Sequence, residues 1–276
     1  MKPNKLFLLL TFTVLFCASV VMASAAIADA QQIPDPRVAD LVRAGKVRVG
    51  LPLGVGATKD PVTGELRGVA MDLARARATR IGVELLPVEY LVNPQVVEAA
   101  KAGAWDVGFT GIDPSWAAEV DFSPPFMHVD FTYLVPAGSS IRSVADADQP
   151  GVRIAVMRNE YADRALGRIL KRAELVRVET RDAALDLLRA GRADAYATAR
   201  PLLLAYSARL PGSRVLEDLF DVVLVAMAVP KGQAGRLAYI SDFIEEAKAS
   251  GLVQRAIERA GLRGIRVAPP GNPKAQ

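Results

Sequence analysis

The chain has 276 residues, of which 51% are hydrophobic and 23% charged, a globular composition that argues against general disorder. Its 34 Lys and Arg against 30 Asp and Glu leave a net charge of +4, spread along the chain with no basic stripe, which demotes nucleic-acid binding. One Cys and one His exclude the usual Cys/His zinc sites, and no metal or cofactor is expected.

Lys2 and Lys5 precede an uncharged stretch from Leu6 to Met22, and the small-x-small sites Ala23-Ser24-Ala25 and Ala28-Asp29-Ala30 follow. This order predicts a secretory signal peptide over 1–30, an uncleaved anchor being the alternative. Phe16 before Cys17 is bulky where a lipoprotein signal needs a small residue. Cleavage after Ala30 would leave 246 residues, net charge +3 and no cysteine. An exported chain without disulfides needs a core large enough to fold unaided.

A short helix is expected over Arg37–Ala44, then a strand over Val47–Leu53, a turn at Asp60–Gly64, a helix over Val69–Ile81 and a strand over Val83–Val88. Asn93-Pro94 reads as N-cap and first helical residue. Trp105–Thr110 is the next strand, and Asp113-Pro114 repeats the helix-start signal. Phe131–Val135 is a strand. The alternation then restarts with strand Val152–Val156, helix Asn159–Ala173, strand Leu175–Glu179, helix Thr180–Ala190 and strand Ala193–Thr198. Val222–Val229 reads as a buried strand, followed by two amphipathic helices that end at Gly251 and Gly261 and by a loose tail over 268–276. This is an α/β pattern in two groups, with no repeat evident between them.

Several pieces now carry a resemblance. Thr63-Gly64-Glu65-Leu66-Arg67-Gly68 with Met71-Asp72-Leu73-Ala74, then Asp121-Phe122-Ser123-Pro124-Pro125-Phe126, then Ala190-Gly191-Arg192-Ala193-Asp194-Ala195, resemble in order and spacing the bacterial solute-binding protein family 3. The resemblance implies a type II periplasmic binding protein fold, with two α/β lobes joined by two hinge strands near Phe131–Gly138 and Val222–Lys231. Lobe 1 would comprise 31–135 and 227–276, and lobe 2 136–226. It also implies a small-molecule ligand in the interlobe cleft, ABC importer permease subunits as partners, a monomer and a periplasmic location.

Thr110, Gly111 and Asp113 lie between a strand end and a helix start, where backbone N–H groups can meet a ligand. Asp113 could equally be only an N-cap. Where amino-acid-binding members carry a carboxylate-clamping Arg, this chain has Trp116, which could stack on a flat or cationic ligand or simply pack. Arg158, Asn159 and Glu160 occupy the second-lobe loop that usually binds anions. Ala199 stands where an Asp usually meets the ligand's amino group, and the neighbouring Arg200 is a candidate for a ligand carboxylate, or else an ion-pair residue. Leu53, Val55 and Tyr90 are weaker pocket candidates. These departures predict poor binding of ordinary α-amino acids. A flat ligand would instead stack on Trp116, its acid group met by Arg200 or Arg158. His128 reads as a structural histidine, with a general base as the alternative. The second functional class is a dehydratase of the cyclohexadienyl type on the same scaffold, with Glu160 and His128 as its acid–base candidates. A membrane-anchored sensor is the third.

Overall fold

The computed structural model describes residues 35–271, so the expected signal peptide and the end of the tail lie outside the described residues. The first region is built on β1 (Lys46–Pro52). Val47, Val49 and Leu51 alternate along it at 0–1% exposure, which fixes its buried face. β1 pairs in parallel with β4 (Glu84–Tyr90) on one side and β5 (Val107–Gly111) on the other. Parallel neighbours require crossovers. α2 (Val69–Ile81) and α3 (Asn93–Lys101) supply them, and a short α1 (Ala39–Ala44) leads into β1. Between β1 and α2 the small hairpin β2 (Thr58–Lys59) and β3 (Leu66–Arg67) projects. α2 ends at Gly82 in the left-handed conformation.

The second region repeats the plan. β8 (Arg153–Met157) pairs in parallel with β9 (Glu174–Val178) and β10 (Ala195–Ala199), through α4 (Tyr161–Ile169) and α5 (Arg181–Arg189). The two regions share one clasp. In the first, Arg48 donates from its backbone N, Nε and Nη2 to Asp106 and from Nη1 to the Gly103 carbonyl. In the second, Arg153 donates from its backbone N, Nε and Nη2 to Asp194, and from Nη2 also to the Gly191 carbonyl. The repeat that the sequence reading did not find is therefore present. Its traces are Ala102-Gly103-x-x-Asp106-x-x-x-Thr110 and Ala190-Gly191-x-x-Asp194-x-x-x-Thr198.

Two long strands connect the regions. β6 (Val120–Phe122) precedes β7 (Met127–Val135), whose early residues pair antiparallel with β12 (Asp221–Pro230), from Phe131↔Asp221 to Met127↔Val225. Later in β7 the partner is β10, and later in β12 it is β5 and then β6. α6 (Arg200–Ser207) and β11 (Arg214–Val215) lie between β10 and β12. After β12, α7 (Ala234–Ala249) and α8 (Leu252–Arg259) lead to β13 (Ile265–Val267), which returns to β7. Two α/β regions joined by two strands form the type II periplasmic binding arrangement.

Three local expectations change. Asn93 is the first residue of α3 rather than its cap, and its side chain serves the cleft instead. α4 begins at Tyr161, because Asn159 holds a left-handed φ of 62° that a right-handed helix cannot contain. α6 was not anticipated, although Pro201 in its first turn marked it.

Candidate functional site

The carboxyl ends of β1, β5 and β10 and the amino ends of α3, α4 and α5 surround a cleft between the two regions. It encloses about 940 Å³, the open solvent at its mouth included. The β1 end and the following turn contribute Pro52 to Gly56; β5 and its loop contribute Phe109 to Asp113 and Trp116. From the second region come Glu160, Tyr161, Arg164, Arg181, Thr198, Ala199 and Leu202. The connecting strands supply the floor with Met127, Val129, Phe131, Val223 and Val225. Most of the lining is therefore apolar, with charge confined to a few side chains.

Thr110, next to last in β5, donates from Oγ1 to Asn93 Oδ1 at 3.0 Å. Gly111 stands where a Cβ would come within 2.9 Å of Val223 Cγ1, so the strand needs glycine to lie against β12. Asp113 caps the 3-10 turn Pro114–Trp116: its Oδ1 accepts from the Ser115 backbone N at 3.0 Å and from Ser115 Oγ at 2.7 Å. Burial pushes the Asp113 carboxyl upward, but the Ser115 donors and the Arg164 charge outweigh it and hold the group below its ordinary value.

Four charged side chains line the cleft: Asp113, Glu160, Arg164 and Arg181. Arg164, at the end of the first turn of α4, reaches to the first region. Its Nη2 stands 3.3 Å from Asp113 Oδ2, and its guanidinium carbon lies 5.1 Å from the Trp116 ring centroid. Its Nη1 donates to the Asn159 carbonyl at 2.6 Å. Arg181, the first residue of α5, pairs with Glu160 within the second region. The Arg181 Nε–H is buried and meets no acceptor. Tyr161 donates from its hydroxyl to Asp221 Oδ2 at 2.6 Å, while its ring lies 5.0 Å from that of Phe131.

Five of the eight sequence candidates thus line the cleft: Thr110, Gly111, Asp113, Trp116 and Glu160. The other three do not. Arg158 points to Glu179 on the surface, Nε to Oε1 at 2.6 Å, with both side chains exposed. Asn159 touches the site only through its backbone carbonyl on Arg164. Arg200 faces Asp130 at 3.8 Å, donates to the Glu217 carbonyl at 2.7 Å and lays its stem over Gly264. Trp116 lines the cleft with Arg164 over one of its faces. Of the weaker candidates, Leu53 and Val55 line the cleft and Tyr90 does not. His128 is absent from the lining too. Arg164 and Arg181 were missed. Arg164 follows Glu160 by four residues, one helical turn, and Arg181 follows an N-cap Thr180; both were signals that a cleft-facing helix start carries side chains inward.

Comparison with known proteins fits this geometry. The model of the bacterial extracellular solute-binding proteins, family 3, matches residues 55–261. A glutamine-binding protein of Geobacillus stearothermophilus is 26% identical over 184 residues, which are 64% of this chain and 70% of that protein. Among solved structures, the ancestral amino acid-binding protein AncCDT-1, a precursor of cyclohexadienyl dehydratase, is 26% identical at a TM-score of 0.69, over 80% of this chain and 97% of its own. A putative binding component of an ABC transporter from Wolinella succinogenes, complexed with lysine, is 25% identical at a TM-score of 0.70, over 78% and 95%.

Proposed function

Because the chain belongs to the bacterial extracellular solute-binding proteins, family 3, we propose that it captures a small polar solute, amino-acid-like or an organic acid, and delivers it to an ABC importer. The observation that carries this reading is Arg164, which spans the cleft from α4 to Asp113 and Trp116. A solute held between such walls gains contacts from both regions only when they close, which gives the differential affinity a transport signal needs. In this reading lobe 1 comprises 31–135 and 227–276, lobe 2 comprises 136–226, and Thr110, Gly111, Asp113, Trp116 and Glu160 touch the solute. The protein acts as a periplasmic monomer after removal of residues 1–30, and permease subunits receive it.

The test is a thermal-shift screen of the purified protein with amino acids and organic acids. At 100 times the dissociation constant a true ligand stabilises by about 2.7 kcal/mol. Small-angle scattering should show compaction with that ligand, which must be recovered unchanged. Its conversion to a product would favour the dehydratase. Intact mass of the exported protein should give a start at Ala26 or Gln31; a retained amino terminus or a lipid on Cys17 would count against the export reading.

A further inference from the structure

The donors and acceptors in the cleft narrow the ligand, given the solute-binding reading above. Each of the two carboxylates in the cleft already holds a guanidinium. Asp113 Oδ1 takes two bonds from Ser115, and Oδ2 faces Arg164. Glu160 is held by Arg181, and Asn93 Oδ1 by Thr110. Donors remain in surplus, because each guanidinium carries five N–H groups in a fixed fork. Arg164 uses Nη1 on the Asn159 carbonyl and Nη2 on Asp113. Arg181 spends one Nη2–H on Glu160 and lines the cleft with the end of its fork, its Nε–H being covered.

We infer that the ligand is a monocarboxylic acid on an apolar carbon body, read by Arg164 and Arg181 and requiring no ammonium group. Besides bordering the solute, Asp113 and Glu160 then aim the two guanidiniums, and Trp116 is the platform that holds Arg164 flat. The apolar body lies against Leu53, Phe109, Phe126, Phe131 and Val223. An α-ammonium would enter a space where the side-chain carboxylates already have partners, and it would lose hydration without recovering it.

The experiment is calorimetry on the purified protein with matched probes: 3-phenylpropanoate, L-phenylalanine and 3-phenylpropanamide, and 4-methylpentanoate with L-leucine. Each acid should bind at least tenfold tighter than the amino acid of the same skeleton and than the amide. Arg164→Lys keeps the charge but loses the planar fork and its stacking. It should weaken the acid at least tenfold, leave the amide unchanged and alter the emission of Trp116 on binding. Arg181→Gln should weaken the acid as well. Either amino acid binding as tightly as its deaminated partner, or the acid binding no better than the amide, overturns the inference. Tight binding of a polar amino acid such as glutamine overturns it while leaving the solute-binding reading intact. If no solute binds in this panel or in the wider screen, both fall.

Discussion

The single histidine sits on β7 opposite Leu224 and Arg266, with its Nε2 buried and without a hydrogen-bond partner. Burial first, then the charge of Arg266, push its imidazole below the ordinary value of 6.5; Asp130 opposes them, and Lys248 adds the smallest push downward. The folded state therefore favours the neutral ring. Its contribution to stability is complete above pH 6.5 and is lost as the pH falls through the lower folded-state value. Melting curves of His128→Gln should lose that part of the acid decline just below pH 6.5; an unchanged pH profile would show that the ring titrates normally. At this scale the sequence was partly legible. Asp113 combined the Asp-Pro start with a cap, and the cap is there. Arg164 was not, because its meaning depends on Trp116, which lies 48 positions earlier and meets it only through the fold.

Among elements, the Arg–Asp clasp ties the first strand of each region to the start of its last strand. The Asp106 backbone N returns a bond to the Arg48 carbonyl at 2.9 Å, and Asp194 does the same to Arg153 at 2.8 Å. The two clasps differ in exposure: the Asp106 side chain is 16% exposed and that of Asp194 37%. Asp106→Ala should cost about 2 kcal/mol and Asp194→Ala about 1 kcal/mol, since solvent screens the more open pair. Denaturant titration of both variants and of the double variant checks this. The costs should add, because the clasps share no partner. Equal costs would mean that exposure does not matter here. The long elements were read well from apolar spacing. The short strands β6, β11 and β13 were not, because two or three residues carry no periodicity and extend only against a neighbour already in place. The clasp escaped notice because its Arg and its Asp stand 58 residues apart in the first region and 41 in the second.

For the whole molecule, the α/β class and the order of the two groups were readable from the alternation of strands and helices. The continuity of the sheet was not. β7 and β12 carry it from β4 at one edge to β9 at the other. Where they pair, from Met127↔Val225 to Phe131↔Asp221, they form a hydrogen-bonded ribbon rather than two separate linkers. Hydrogen exchange should accordingly find these amides among the slowest, and solute should leave them slow while changing protection near Asp113 and Arg164. Rapid exchange across 127–131 and 221–225 would contradict this.

Neither strand holds a glycine, and their one proline is Pro230, outside the paired stretch. A single-residue pivot therefore has nowhere to sit. In the solute-binding reading, bending between the regions would be shared as torsion along the ribbon, each residue rotating a little and no ladder bond breaking. Such a ribbon would act as a torsion spring. A spring of this kind exchanges between arrangements without crossing an unfolding barrier, in the microsecond-to-millisecond range of collective domain motion. A proline placed in the paired stretch would slow or misdirect that motion by removing a rung, even where no solute is touched.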